Sequence, residues 1–493
     1  SSGKQIMEIL GKGRTFMNVL YRTWERLVAQ ELERSRKNKE KRWRPKLHIS
    51  PPAGWLNDPN GLCQYQGVYH VFYQYSPFDA KGGLKFWAHC TSLDMLRWSF
   101  EGIALAPDEP FDCHGAYSGS ALVENGQISL YYTGNVKQTG EHDYIHTGRE
   151  SNTVRVAGRD GIHFGEKKLI MTNRDYPEDL TCHVRDPKVW KQDGRYYMVQ
   201  GARTAEDKGV VLLFESENGL EWKYRNRLET EKAFGYMWEC PDLYHVDGHT
   251  VLSISPQGVE ADGLKYNNVY QSVTVFLEDD FRTASVNGAF RELDAGFDFY
   301  APQSFEAEDG RRIQIGWMGM PDVDEYYTNR SLEDGWQHIL TLPRELSVKD
   351  GILCQNPVRE LDTWWNFFIS FKNTYSHVLG DCFELEFSRV GESVRLTLAG
   401  GLALFWEKAE GIFWMEFTDQ KLGAGRTKRG RKVEKLADLR ILVDVSCVEV
   451  YLNGGKDVFS TRFYPDTEGV SVKLQAPGSE GRIRLRQDEE QPE

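Results

Sequence analysis

Two hydrophobic rhythms divide the chain. Over roughly 14–41, Phe16, Leu20, Trp24, Leu27 and Leu32 recur near i, i+4 and i+8 among charged residues, which predicts an amphipathic helix. Pro45 then ends it, because the residue before a proline is pushed out of the helical region. Such a stripe rarely stays in water, so the helix is expected to pack on the body of its own chain, with a second subunit as the alternative.

Beyond Pro45 the period shortens to two. Aromatic and β-branched residues flank glycine turns at 64–69, 123–128, 190–196, 244–248 and 305–310, which predicts five β-hairpins. Their glycines, at 67, 126, 194, 248 and 310, follow one another at intervals of 54 to 68 residues, close to the repeat of four-stranded propeller blades. Echoes at 94–98, 160–164 and 218–222 mark the outer part of a blade. After about residue 361 the repeat is lost, and alternating strands at 394–398, 413–417 and 448–454 read as a β-sandwich. The expected fold is therefore all-β. A helical extension over 1–44 precedes a five-bladed β-propeller over 45–345, a linker over 346–365 and a C-terminal β-sandwich over 366–493.

Composition narrows the partners. A net charge of −13 and the lack of a basic run interleaved with aromatics argue against nucleic acid. The 14 tryptophans favour carbohydrate only weakly, since most rings of this kind pack in cores. Eight cysteines, at 63, 90, 113, 182, 240, 354, 382 and 447, form no Cys-x-x-Cys pair and no zinc-like spacing. Most sit in apolar segments, where reduced, buried thiols are expected. No 18-residue apolar run exists, and the first 45 residues lack the apolar core of a signal peptide. The expectation is a cytoplasmic protein with a small sugar partner, no membrane, no metal and no cofactor, with homo-oligomerisation left open.

Candidate chemistry begins at Trp55-Leu56-Asn57-Asp58-Pro59-Asn60-Gly61, where turn-forming residues hold one carboxylate. Arg185-Asp186-Pro187 and Trp238-Glu239-Cys240-Pro241-Asp242 each set another acid beside a proline. The three acids fall at the starts of the first, third and fourth repeats, so a propeller would bring them to one central funnel. Together with Phe72-Tyr73-Gln74-Tyr75, Tyr117-Ser118-Gly119-Ser120, 297–303 and 315–321, these motifs resemble the β-fructofuranosidases of glycoside hydrolase family 32, from about residue 45 to the end.

That resemblance implies a propeller and a sandwich, and a retaining hydrolysis of terminal β-D-fructofuranosides through a covalent fructosyl intermediate. It implies Asp58 as nucleophile, Glu239 as acid/base and Asp186 as the group that holds fructosyl hydroxyls. It also implies sugar contacts at Asn57, Gln74, Trp87, Ser118, Arg185, Tyr300 and Trp317. The chemistry agrees: cleaving a ketosidic bond needs one carboxylate and one protonated acid, and clustered carboxylates raise the pKa of at least one member. Arg185 is expected to hold its neighbour Asp186 ionised.

Many invertases carry Trp-Gly soon after the segment matching 72–74, whereas this chain has Gly82-Gly83 within 76–87, which is more like the sucrose-6-phosphate hydrolase branch. Lys81, Lys85 and His114 are then candidates for meeting a phosphate. The substrates implied are sucrose, sucrose 6-phosphate and short fructo-oligosaccharides. The alternatives are an exo-acting fructan hydrolase, a transfructosylase, an inverting arabinan or xylan hydrolase, and a noncatalytic carbohydrate-binding propeller.

Overall fold

The computed structural model describes residues 18–37 and 42–487. Five sheets, each built on four antiparallel strands, form the blades of a propeller. Their innermost strands are Gly54–Tyr65, Ala116–Glu124, Leu180–Gln192, Met237–Val246 and Tyr300–Glu306. Four of the expected turns are two-residue loops, Gln66-Gly67, Asn125-Gly126, Asp193-Gly194 and Asp247-Gly248, with positive φ at both residues. This is the geometry whose twist matches the flanking strands. The outer echoes are turns before the fourth strand of a blade. Asp94, Asp160 and Asn218 each use one side-chain oxygen to accept two backbone N–H groups just downstream.

Part of the segment read as a linker over 346–365 instead builds the outer edge of blade five, as Arg344–Lys349 and Ile352–Pro357. The chain between them and the inner strands closes the ring: Trp336–Gln337 pairs in parallel with Gly54 and Trp55, and Ile339–Leu340 joins blade five.

Two long strands, Phe367–Leu379 and Val470–Leu485, thread both layers of the sandwich. Val470–Leu485 pairs near its start with Ser393–Leu398 and near its end with Cys382–Arg389. Val394, Leu396 and Leu398 are buried in alternation, as the period of two requires.

A buried ionic seam joins the two domains. His48 Nδ1 lies 2.7 Å from Asp444 Oδ2, and its Nε2 lies 2.6 Å from Glu449 Oε1. Arg344, from blade five, donates to Glu449 at 2.8 and 3.2 Å. Arg426 of the sandwich forks onto Asp298 at 2.7 and 2.8 Å.

The N-terminal helix spans Val19–Arg36, capped by Asn18, whose side chain accepts from the Tyr21 N–H. It packs on blade one: the Tyr21 hydroxyl donates to the Ile103 carbonyl at 3.1 Å, and the Trp24 ring meets Phe86 edge-on at 5.5 Å. Of the expected stripe, Phe16 lies outside the described residues, and Leu20 and Leu27 are exposed. The packed face is Tyr21, Trp24, Val28 and Leu32. Counting leucines missed it because Tyr21 can bury its ring while its hydroxyl finds a carbonyl.

Candidate active site

Every innermost strand breaks register at a place where two of its residues oppose one on the second strand. The pairs are Asn57-Asp58 against Gln74, Tyr117-Ser118 against Thr133, Asp186-Pro187 against Gln200, Cys240-Pro241 against Ile254, and Ala301-Pro302 against Gly316. These are β-bulges, which re-aim side chains and are among the few sheet positions that tolerate a proline without an N–H. Asp186, Cys240 and Ala301 take φ of +67°, +46° and +51°. Non-glycine residues held in that region tend to cluster at functional sites.

The bulges open onto a cavity of about 300 Å³ that Asn57, Asp58, Gln74, Ser118, Arg185, Asp186, Glu239, Tyr300 and Trp317 line together. Asp58 accepts from the Ser118 hydroxyl at 2.5 Å and from the Asn57 amide at 3.2 Å. Asn57 is itself fixed by the Trp55 indole N–H at 2.9 Å. Glu239 Oε1 accepts from Arg185 Nη2 and Nε at 2.6 and 3.1 Å, and its Oε2 accepts from the Tyr300 hydroxyl at 2.6 Å. The Cys240 N–H donates to Asp186 at 2.9 Å, and the Cys240 sulfur lies 3.4 Å from Asp58 and 3.5 Å from Asp186. One thiol thus touches two of the three acids.

Burial pushes the Asp58 carboxyl above its usual range, with Glu239 adding and the Ser118 bond opposing. Burial lifts Asp186 to about 7, Arg185 opposes, and Glu239 and Asp58 add. The Cys240 thiol is raised by burial and by all three acids, so it remains S–H. The expectation that Arg185 chiefly serves Asp186 is corrected. Its guanidinium bonds Glu239 and His183 Nδ1, at 2.6 Å each, and acts on Asp186 only through space.

Trp87 does not line the cavity. It is fully buried on the third strand of blade one, packs against Phe72 and Tyr132, and donates its indole N–H to the Tyr117 carbonyl at 2.9 Å. Gln74, its register partner on the second strand, is one strand nearer the axis and reaches the cavity. The sequence reading gave no site role to Trp55, Tyr117, Arg149, His183, Gln257 or Pro321, which also line the cavity. Arg149, His183 and Gln257 stand outside the motifs, which is why they escaped notice, whereas Trp55, Tyr117 and Pro321 lie within them. Of the residues considered for phosphate, Lys85 lines the cavity, with its ammonium on the Ser76 hydroxyl at 3.1 Å and 5.0 Å from the centre of the Trp55 ring. Burial pulls Lys85 down to about 8.

Comparison with known proteins places these observations in a family. The glycosyl hydrolases family 32 N-terminal domain model matches residues 48–357, and the family 32 C-terminal model matches 371–487. Sucrose-6-phosphate hydrolase of Bacillus subtilis (strain 168) is 38% identical over 455 residues, covering 88% of this chain and 92% of that protein. Raffinose invertase of Escherichia coli is 37% identical over 470 residues, covering 91% and 95%. The solved structure of sucrose-6-phosphate hydrolase from Lactobacillus gasseri superposes with a TM-score of 0.85 at 29% identity, covering 93% of this chain and 96% of that one.

Proposed function

The chain belongs to glycosyl hydrolases family 32 and is a β-fructofuranosidase; we propose that Asp58 is its nucleophile, Glu239 its acid/base and Asp186 the group that holds the fructosyl hydroxyls. The observation that carries this reading is the convergence of three acids, from three blades, on one small cavity. Ser118 and Asn57 orient the Asp58 carboxylate toward the anomeric carbon, while Arg185 and Tyr300 hold Glu239 beside the leaving oxygen. Asp58 forms a bond to that carbon as Glu239 protonates the departing oxygen. Glu239 then takes a proton from water, which displaces Asp58 and releases fructose with its configuration retained. Asp186, lifted to about 7, keeps a proton within the cluster near neutral pH.

The natural substrate is a β-fructofuranoside with a short leaving group, sucrose or its 6-phosphate. The support is the cavity's size, at the low end for small-molecule sites, and the substrate in the names of the relatives. All eight cysteines are free, which supports a reducing, cytoplasmic setting, and no helix among the described residues is long and apolar enough to cross a membrane. Fructose release from sucrose, sucrose 6-phosphate, kestose and inulin tests the reading. The two disaccharides are expected to show the higher kcat/KM; inulin cleaved more efficiently than either would overturn it.

A further inference from the structure

One wall of the cavity carries positive charge that hydrolysis of an uncharged sugar does not use. Lys137 and Arg149 are directly opposed register partners where the second and third strands of blade two, Gln127–Lys137 and Arg149–Gly158, meet a long connecting loop. Like charges facing each other across a ladder destabilise it. Among the described residues no ion pair relieves either charge. Arg149 lines the cavity and spends Nε on the Tyr144 carbonyl (3.0 Å) and Nη1 on the Asn135 amide oxygen (2.8 Å), both neutral acceptors. Lys137 is exposed, with its ammonium 5.4 Å from the centre of the Tyr144 ring. Glu150, next in sequence to Arg149, is engaged by Gln138 and Asn152.

A hydrogen-bonded path joins this wall to Glu239. It starts at Glu239, which accepts from Arg185; Arg185 donates to His183 Nδ1, and His183 bonds the Tyr144 backbone. The Tyr144 carbonyl in turn accepts from Arg149. The path leads from Glu239 to Arg149, and both line one cavity, so a leaving sugar held by Glu239 shares that cavity with Arg149. His183 registers the charge there: burial, Arg185, Arg149 and Arg203 together press it down to about 2.

We propose that Lys137 and Arg149 form a subsite for a phosphate monoester carried on the leaving sugar. Arg149 contributes a planar fork and Lys137 a point charge, and a dianion between them would quench the repulsion that the facing strand ends bear. His114, considered for this role from the sequence, accepts the Lys137 backbone N–H at 2.9 Å and so helps fix the strand end. The subsite rests on the assignment of Glu239 as acid/base.

The test is the ratio of kcat/KM for sucrose 6-phosphate to kcat/KM for sucrose, in the unaltered protein and in Lys137→Met, Arg149→Met and the double variant. Taking the ratio within one preparation cancels any loss of folded enzyme. The unaltered protein should prefer the phosphorylated sugar, and that preference should shrink as salt is added. Each single variant should lower the ratio by about ten- to a hundredfold, the range for a lost charge-assisted contact. Inorganic phosphate should inhibit sucrose hydrolysis only weakly; inhibition as strong as the ester's own binding would assign the wall to free phosphate and overturn the proposal. Sucrose cleavage with an unmoved ratio in the double variant overturns the subsite alone. Failure of the unaltered protein to cleave either sugar overturns the underlying activity as well.

Discussion

At the seam between propeller and sandwich, Asp444 accepts the backbone N–H groups of Lys46 and Leu47 and a ring nitrogen of His48. Glu449 accepts the other ring nitrogen, the Arg344 guanidinium and the Leu342 N–H. At the propeller axis, Asp58, Asp186 and Glu239 are as acidic a group, yet among the described residues only one guanidinium, from Arg185, reaches any of them. The consequences are opposite. Against burial, His48 and the backbone donors hold Asp444 below its usual range, and Arg344 and His48 hold Glu449 at about 2. Burial and like charge raise Asp58 and Asp186 instead. What decides between them is the count of donors, since both groups are buried. A fully paired acid is fixed in charge and holds structure; an underpaired cluster retains a proton that can move.

The largest expected effect breaks the axial cluster. Asp58→Asn and Glu239→Gln should each lower kcat on sucrose by about four orders of magnitude or more while the circular dichroism spectrum is retained. Near-normal turnover by folded Asp58→Asn protein would remove it as nucleophile. At the seam the same kind of change should act on stability. Glu449→Gln leaves His48 and Arg344 underpaired, so it should cost about 3–5 kcal/mol in denaturant unfolding. In the unaltered protein the contribution of Glu449 is complete above its unfolded value of about 4.3 and is lost as pH falls toward about 2.

Asp186 has the reverse sign. Its folded value of about 7 exceeds an unfolded value of about 3.9, so its destabilising contribution is absent at pH 4 and complete above pH 7. Asp186→Asn should therefore be less active yet more stable at pH 8, with the gain vanishing near pH 4. A gain independent of pH would show that charge is not its source. The smallest effect lies away from both clusters. Trp24→Ala should lower stability by about 1–3 kcal/mol and leave fructose release unchanged, since Trp24 packs on blade one rather than in the cavity.

How far the sequence revealed these regions follows from what each is made of. The prolines of Asp186-Pro187 and Cys240-Pro241 mark bulges, because a proline inside a strand-like run needs a special site, whereas the stretch around Asp58 reads as a turn and instead bulges at Asn57-Asp58 within the strand Gly54–Tyr65. The blades were legible because their turns need residues that accept positive φ, such as Asn125-Gly126 and Asp193-Gly194. The seam was not, since His48, Arg344, Asp444 and Glu449 come from distant segments and each alone reads as an ordinary surface charge. Trp87 misled for a related reason: its strand, Phe86–Ser92, is buried on both faces, so alternation cannot say which neighbour a ring meets. The helix register failed by one residue, with Tyr21 and Val28 buried in place of Leu20 and Leu27. Arg149 and His183 were silent because only folded contacts connect them to Glu239, His183 through Arg185 and Arg149 through Tyr144 and His183.

The central claim is that the underpaired axial acids perform the chemistry, with Asp58 bonded to the fructosyl unit midway. Rapid acid quench of Glu239→Gln protein turning over β-D-fructofuranosyl fluoride, followed by peptide mapping by mass spectrometry, tests it most directly. Fluoride leaves without needing the Glu239 proton, so loss of the acid/base slows the water step and should let the intermediate accumulate. The account predicts one added fructosyl mass on the peptide that contains Asp58. A fructosyl adduct on Asp186, or turnover with no adduct at any quench time, would contradict it.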